Sequence, residues 1–254
     1  MSKENRSKLN QLLNINPKGI ILTSHYLFKL GFNYELIHRY KKSNWLTQID
    51  RGAYILSSSK VAWQGALFTC QNHLGLDIHA GSKTALQLHG LAHYLSSKSQ
   101  PVYLFGNQGI KLPHWFNYIK SRFNILYSTT NLFPKQPVAS SSDYSMEQFS
   151  IRISSPEKAA LELAYHIPKY MSFQETSLIF ENLTTLRPAI VQELLELCTS
   201  IKVKRIFLFL AEKNRHQWFK NLNTKTINLG KGKRVIEKNG ILNKKYNITV
   251  PKTL

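Results

Sequence analysis

The chain has 254 residues, a formal net charge of +20 and 43% hydrophobic side chains. That apolar share excludes wholesale disorder, and the length suggests two domains. So large a positive charge favours a polyanionic partner, nucleic acid before an anionic membrane.

The charge is uneven. Residues 1–60 hold ten Lys and Arg against three acids, residues 201–254 hold fourteen against two, and the middle is nearly neutral. Two electropositive surfaces are therefore expected. Cys70 and Cys198 lie too far apart for a CxxC metal site and are too few for a disulfide framework, which fits a reducing cytosol. The N-terminus has no signal-peptide core, and no apolar run approaches the roughly 20 residues of a membrane span. A cytoplasmic protein without a membrane partner is expected.

In chain order, Leu9, Leu12 and Leu13 mark a first helix over about 7–14, and Pro17-Lys18-Gly19 breaks it. Ile20-Ile21-Leu22 is a short strand suited to pair with a later hairpin. Thr23 can cap a helix that closes at Gly31. Asn33 can cap another, running to about Lys42. On that helix Leu36, Ile37 and Tyr40 share one face. Tyr34, Glu35, His38, Arg39 and Lys42 fall opposite, with Lys41 at the border. Residues 45–49 and 53–56 read as strands joined by Asp50-Arg51-Gly52. This is the pattern of a winged helix-turn-helix: the polar face suits a major groove, and Arg51 at the wing tip suits phosphates or a minor groove. Two amphipathic helices and a hairpin also occur in ordinary cores.

Ser57-Ser58-Ser59 reads as a linker, giving domains at 1–59 and 60–254, the latter open to division near 154. Residues 61–73 read as a helix, 77–80 as a strand, and 83–95 as a helix opened by Gly81-Ser82. Strands follow at 101–105, 123–127 and 149–153, with a long loop over 131–145. Ser155-Pro156-Glu157, the Ser172/Glu175 capping box and Pro188 open three helices, and Val203, Ile206, Phe207 and Leu210 mark a fourth. They should form a bundle packed on a small sheet. Asn239-Gly240 is read as the turn of a hairpin over 233–250. The fold class is thus α+β, a winged helix followed by a mixed α/β domain.

Little catalytic chemistry is visible. His89 and His93 have an i, i+4 spacing that could hold a metal, yet Gly90 intervenes and no third ligand is obvious. Packed or hydrogen-bonded histidines are the simpler expectation. Gly81-Ser82-Lys83-Thr84 lacks the glycine spacing of a phosphate-binding loop. Only three Asp residues are present, too few for a divalent-ion nuclease cluster, and no GxSxG elbow appears. No enzyme, cofactor or metal site is expected. A second basic surface is expected from Lys202, Lys204, Arg205, Lys213 and Arg215, together with the turn at Lys231, Lys233 and Arg234. That turn could bind phosphate or be a solvated loop, and the surface is a candidate for RNA, DNA or an acidic protein.

The runs NWLTQIDRGAYIL, WQGALF and HAGSKTALQLHGLAHYL, followed by SSPEKAALEL and INLGKGKRVIEKNGILNKKYNITVP, resemble the AbiEi antitoxins of AbiE-type (type IV) toxin–antitoxin systems. The resemblance covers nearly the whole chain. It implies a bacterial DNA-binding antitoxin, not an enzyme, that binds inverted repeats in its own promoter through the winged helix and represses the operon. It also implies a C-terminal domain that neutralises a nucleotidyltransferase toxin without a stable complex, in an abortive-infection defence against phage. Within this implication Tyr34, His38, Arg39 and Lys42 would face bases and phosphates, and Lys41 and Arg51 would hold phosphates. Glu35 could accept from cytosine or simply favour the helix N-terminus. The alternatives are a ligand-responsive transcription factor with an α/β effector domain and a nucleic-acid-processing enzyme.

Overall fold

A computed structural model of the chain describes residues 3–15, 17–92, 100–135 and 137–253. The elements run α1 (Lys3–Leu13), β1 (Leu22–Thr23), α2 (Ser24–Lys29), α3 (Tyr34–Lys42), β2 (Leu46–Asp50), β3 (Ala53–Leu56), α4 (Trp63–Phe68), β4 (Ile78–Ala80) and α5 (Ser82–Leu88). They continue as β5 (Val102–Asn107), α6 (Phe116–Lys120), β6 (Ile125–Thr130), β7 (Ser141–Ser145), β8 (Ser150–Ser154), α7 (Pro156–His166), α8 (Phe173–Glu181), α9 (Pro188–Leu197), α10 (Ile201–Lys213), β9 (Ile241–Asn243) and β10 (Ile248–Val250).

Two compact units result. One comprises residues 1–79, 109–125 and 143–151, and the other 80–108, 126–142 and 152–254. The first unit runs on past Ser59 for a physical reason. Helix α4 lies against the backbone before β1, where Gly65 has no side chain to obstruct the Gly19 carbonyl. One π-helical turn later (Thr69–His73), the Thr69 hydroxyl accepts from the Ile21 amide at 3.1 Å and donates to the Ile21 carbonyl at 3.0 Å. The π-turn divides what the sequence presents as one helix over 61–73.

The core of the first unit is one apolar cluster. Leu12 of α1, Leu22 of β1, Leu27 of α2, Ile37 and Tyr40 of α3, and Leu46, Tyr54 and Leu56 of the wing are all buried in it. The three-stranded sheet has order β1-β3-β2, both pairs antiparallel, with Leu22 opposite Tyr54 and Thr23 opposite Ala53. The expected pairing of the first strand with the wing is therefore present.

Five strands form a second sheet in the order β6-β5-β4-β8-β7, with β4 and β8 parallel. In the second unit α7 is the central helix: it packs against α5, α8, α9 and α10, and α5 also packs on β5. Every one of its residues except Pro156 and Tyr165 is buried. Ser155, Ser172 and Ser200 each accept an amide of the helix they cap, from Lys158, Glu175 and Val203.

Four elements differ from expectation. The stretch 131–145 is not all loop, because Ser141–Ser145 pairs as an edge strand. Helix α5 stops at Leu88, with Gly90 in the left-handed region at φ 73°. Phe116–Lys120 is a short helix, buried at Phe116 and Ile119. The last hairpin pairs β9 with β10 around residues 244–247, not around Asn239-Gly240. Gly240 is needed there for another reason: a Cβ would lie 2.2 Å from the Val250 carbonyl oxygen.

Both cysteines are free and buried, and burial pushes the Cys70 thiol up to about 12 and the Cys198 thiol to about 11. Neither is poised for redox chemistry at neutral pH. Among the described residues no helix is long and apolar enough to cross a membrane, and no three His, Cys, Asp or Glu side chains converge as metal ligands.

Candidate nucleic-acid interface

The α2–α3 pair is set by local chemistry that the sequence displays. The Thr23 hydroxyl accepts from the Tyr26 amide at 3.2 Å. The chain reverses through Gly31 at φ 79°, and Asn33 Oδ1 accepts from the Leu36 amide at 2.8 Å to start α3. Each cap satisfies an amide that the first helical turn leaves open. Helix α1 fixes the other end of α2. Lys8 Nζ and Gln11 Nε2 both donate to the Leu30 carbonyl, each at 3.2 Å, and the Lys8 ammonium stands 5.2 Å from the Phe32 ring centre. A cation at a helix C-terminus also interacts favourably with the helix dipole.

Helix α3 divides cleanly into two faces. Ile37 and Tyr40 are 3% and 1% exposed, and the Tyr40 ring meets Phe32 edge-on at 6.3 Å. Tyr34, Glu35, His38, Arg39 and Lys42 are all exposed and line one open depression on the surface. Tyr34 is 72% exposed and is propped by the Phe28 ring, whose centre lies 4.6 Å away. The structure brings these five side chains together as the spacing requires.

Lys41 behaves differently. It is half-buried, and its ammonium donates to Gln48 Oε1 of β2 at 2.7 Å. Gln48 Nε2 in turn donates to the Asp50 carbonyl at 3.1 Å. Gln48 thus ties the helix to the wing, and the sequence reading missed it because nothing local marks a strand glutamine as a bridge. The acceptor is neutral, so the full Lys41 charge remains available to a phosphate.

At the wing, the register slips by one between Gln48 and Asp50, and Gly52 takes φ 69° to close the turn. Arg51 is exposed at the tip, and its amide is held by Asp50 Oδ1 at 2.7 Å. The other Asp50 oxygen pairs with His114 Nδ1 at 2.6 Å. The His114 hydrogen bond, then that of the Arg51 amide, holds the Asp50 carboxyl below its ordinary range. This partner occupies the Asp50 carboxylate beside the wing tip, and it comes from a segment 64 residues on, which local pattern does not bring there.

The chain is identified by two family models. One, described as the transcriptional regulator AbiEi antitoxin N-terminal domain, matches residues 5–97. The other, described as the transcriptional regulator AbiEi antitoxin of the type IV TA system, matches residues 99–251. The chain belongs to the AbiEi antitoxin family. The AbiEi N-terminal model spans α1 to α5, so it contains both the helix pair and the wing. A crystal structure of the protein RV2827C from Mycobacterium tuberculosis shares the fold, with a TM-score of 0.61 at 10% identity over 98% of this chain and 92% of that one. No curated protein matches the sequence. AbiEi proteins are transcriptional regulators and antitoxins.

The second basic surface of this AbiEi chain is smaller than its sequence implies. Lys204 and Arg205 are 4% and 2% exposed, so they are corrected from surface to interior. The reason for Arg205 is its fork of donors. Nε reaches the Leu229 carbonyl at 2.8 Å, Nη1 those of Gly232 at 2.7 Å and Asn247 at 3.1 Å, and Nη2 that of Gly230 at 3.1 Å. Lys202 and Lys213 are half-buried, donating to the Tyr165 and Ile167 carbonyls and to the Ser177 hydroxyl. Arg215, Lys231, Lys233 and Arg234 remain exposed.

Of the histidine pair, His93 lies outside the described residues. His89 is 3.0 Å from the Ser154 carbonyl through Nε2, which suits a hydrogen-bonded histidine. A buried polar network in the second unit escaped the sequence reading altogether. Glu162 accepts from the Ser82 amide at 2.9 Å and from the Ser154 hydroxyl at 2.8 Å. His166 lies 3.1 Å from the Ser82 hydroxyl and 3.2 Å from that of Ser128. Ser82 adopts φ 50°, a strained value for a residue with a side chain, so that its amide can reach Glu162. Ser82, Glu162 and His166 are each at most 1% exposed, so the network lies in the interior of the unit.

Proposed function

We propose that this AbiEi protein represses its own toxin–antitoxin operon by laying α3 in the major groove of promoter inverted repeats. The observation that carries this is the face of α3 on which Tyr34, Glu35, His38, Arg39 and Lys42 stand exposed while Ile37 and Tyr40 hold the helix to the core. Arg39 and His38 would read base edges, and Tyr34 and Lys42 would contact bases and phosphates. Lys41 and Arg51 would hold the backbone on either side of the groove. Glu35 either accepts from a cytosine or serves only the helix N-terminus.

Gel-shift titration with the upstream promoter DNA tests this. Arg39→Ala should weaken operator binding by about 1–3 kcal/mol if Arg39 contacts a base pair through both nitrogens. Lys41→Ala should weaken binding to all sequences alike and lower the salt slope by about 1. Unchanged binding in both variants would remove α3 as the groove element.

The antitoxic half of the proposal assigns neutralisation of a nucleotidyltransferase toxin to the C-terminal region, without a stable complex. It rests on family membership and on the exposed cations Lys231, Lys233 and Arg234, which suit competition for the toxin's RNA substrate. Replacing all three by Ala in the full chain should weaken RNA binding and toxin neutralisation together. Neutralisation at wild-type level by a variant that no longer binds RNA would refute the competition route.

A further inference from the structure

Beside the buried network of the second unit, on its solvent side, a cavity of about 340 Å³ opens between β6, the end of α7 and the start of α10. Its lining includes Tyr127, Tyr165 and Tyr170, Lys169 and Lys202, and Ser128. Nine residues line it, and none is an acid.

Lys202 is the informative group. Its ammonium is drawn in among the tyrosines, 5.6 Å from the Tyr165 ring centre, and donates to the Tyr165 and Ile167 carbonyls. Both acceptors are neutral. The ammonium is half-buried, and its two hydrogen bonds to neutral carbonyls leave a third N–H for an anionic ligand. Burial alone holds this lysine below the usual range. Lys169 stands 4.8 Å from the Tyr170 ring centre at the rim and adds a second cation. Three tyrosines beside two lysines suit a ligand with an aromatic plane and an anionic group. The volume is near the lower end of small-molecule sites, about 300–1,000 Å³, and suits a ligand the size of a mononucleotide.

We propose that this cavity binds a nucleoside monophosphate, its phosphate on Lys202 and Lys169 and its base against the tyrosine rings. The site is separate from the proposed DNA-reading face and does not depend on that assignment.

Calorimetric titration of the full chain with guanosine and cytidine monophosphates, the free nucleosides and inorganic phosphate tests it. A monophosphate should bind at least about tenfold more tightly than either its nucleoside or phosphate alone. Lys202→Met and Lys169→Ala should each weaken that binding about tenfold, the loss of one charge-assisted contact. Operator affinity in Lys169→Ala should stay at the wild-type level. Should Lys202→Met fail to fold, Lys169→Ala, at an exposed position, carries the test by itself. Absence of heat with every mononucleotide at millimolar concentration, or wild-type affinity in Lys169→Ala, would overturn the site. Inorganic phosphate binding as tightly as the nucleotides would overturn the nucleotide assignment.

Discussion

Acidification should destabilise the second unit through His166, by an amount the structure allows to be worked out. The imidazole is 1% exposed and stacks on Phe105, with ring centres 4.9 Å apart. Tyr103 leans on it, also at 4.9 Å, and Tyr170 meets it edge-on at 5.3 Å. Burial drives its pKa from 6.5 down to about 4; Glu162 opposes the fall and Lys202 adds to it. In the unfolded chain the same ring takes a proton near its ordinary value. As the pH falls below that value, the unfolded state gains a proton that the folded state refuses, so stability is lost between the two pKa values. The full penalty is about 3 kcal/mol, and roughly 2 kcal/mol of it is reached by about pH 5. Glu157 contributes in the same direction at lower pH: burial raises it, but hydrogen bonds from Arg187, its own backbone and Ser155 together hold it below its ordinary range. Urea unfolding of wild type and His166→Gln at a series of pH values isolates the histidine. The gap between the two stabilities should shrink by about 2 kcal/mol from about pH 7.5 to about pH 5. Parallel curves over that interval would refute the buried neutral imidazole.

Three further substitutions test the scaffold. Asn33→Ala should cost about 0.5–2 kcal/mol by opening the first turn of α3, read as a lowered urea midpoint with a matching loss of operator affinity. Gly65→Ala would put a Cβ 1.8 Å from the Gly19 carbonyl oxygen. Because backbone must then move, a loss of about 1–3 kcal/mol is expected in thermal melts. Arg205→Met leaves the Leu229, Gly230, Gly232 and Asn247 carbonyls without their shared donor. It should cost about 3 kcal/mol or more and speed amide exchange in residues 229–234.

What could be read from sequence was whatever depends on near neighbours. Thr23, Gly31 and Asn33 act within three or four residues of themselves, so the α2–α3 turn was legible, and so was the division of α3 into two faces. The caps at Ser155 and Ser172 were legible for the same reason. Long-range partners were not. His166 meets Ser82 across 84 positions, and Arg205 finds its carbonyls 24 to 42 residues on. Arg205 and Lys204 look like surface cations in sequence because helical spacing does not reveal a loop folding over them. The last hairpin was misplaced because Asn239-Gly240 has a competing use. Gly240 admits the Val250 carbonyl, while Asn247, at φ 51°, lies in the segment that joins the paired strands. Ser141–Ser145 was hidden by its composition, since a serine-rich edge strand lacks the β-branched residues by which strands are recognised.

The grip of Lys8 and Gln11 on the Leu30 carbonyl bears on how the protein should be handled. Whatever is fused ahead of the first helix is joined to the segment that clamps the turn before α3. An affinity handle placed there sits within about ten residues of that clamp. Purification and reporter fusions intended for promoter assays are better attached at the other end of the chain or cleaved before use.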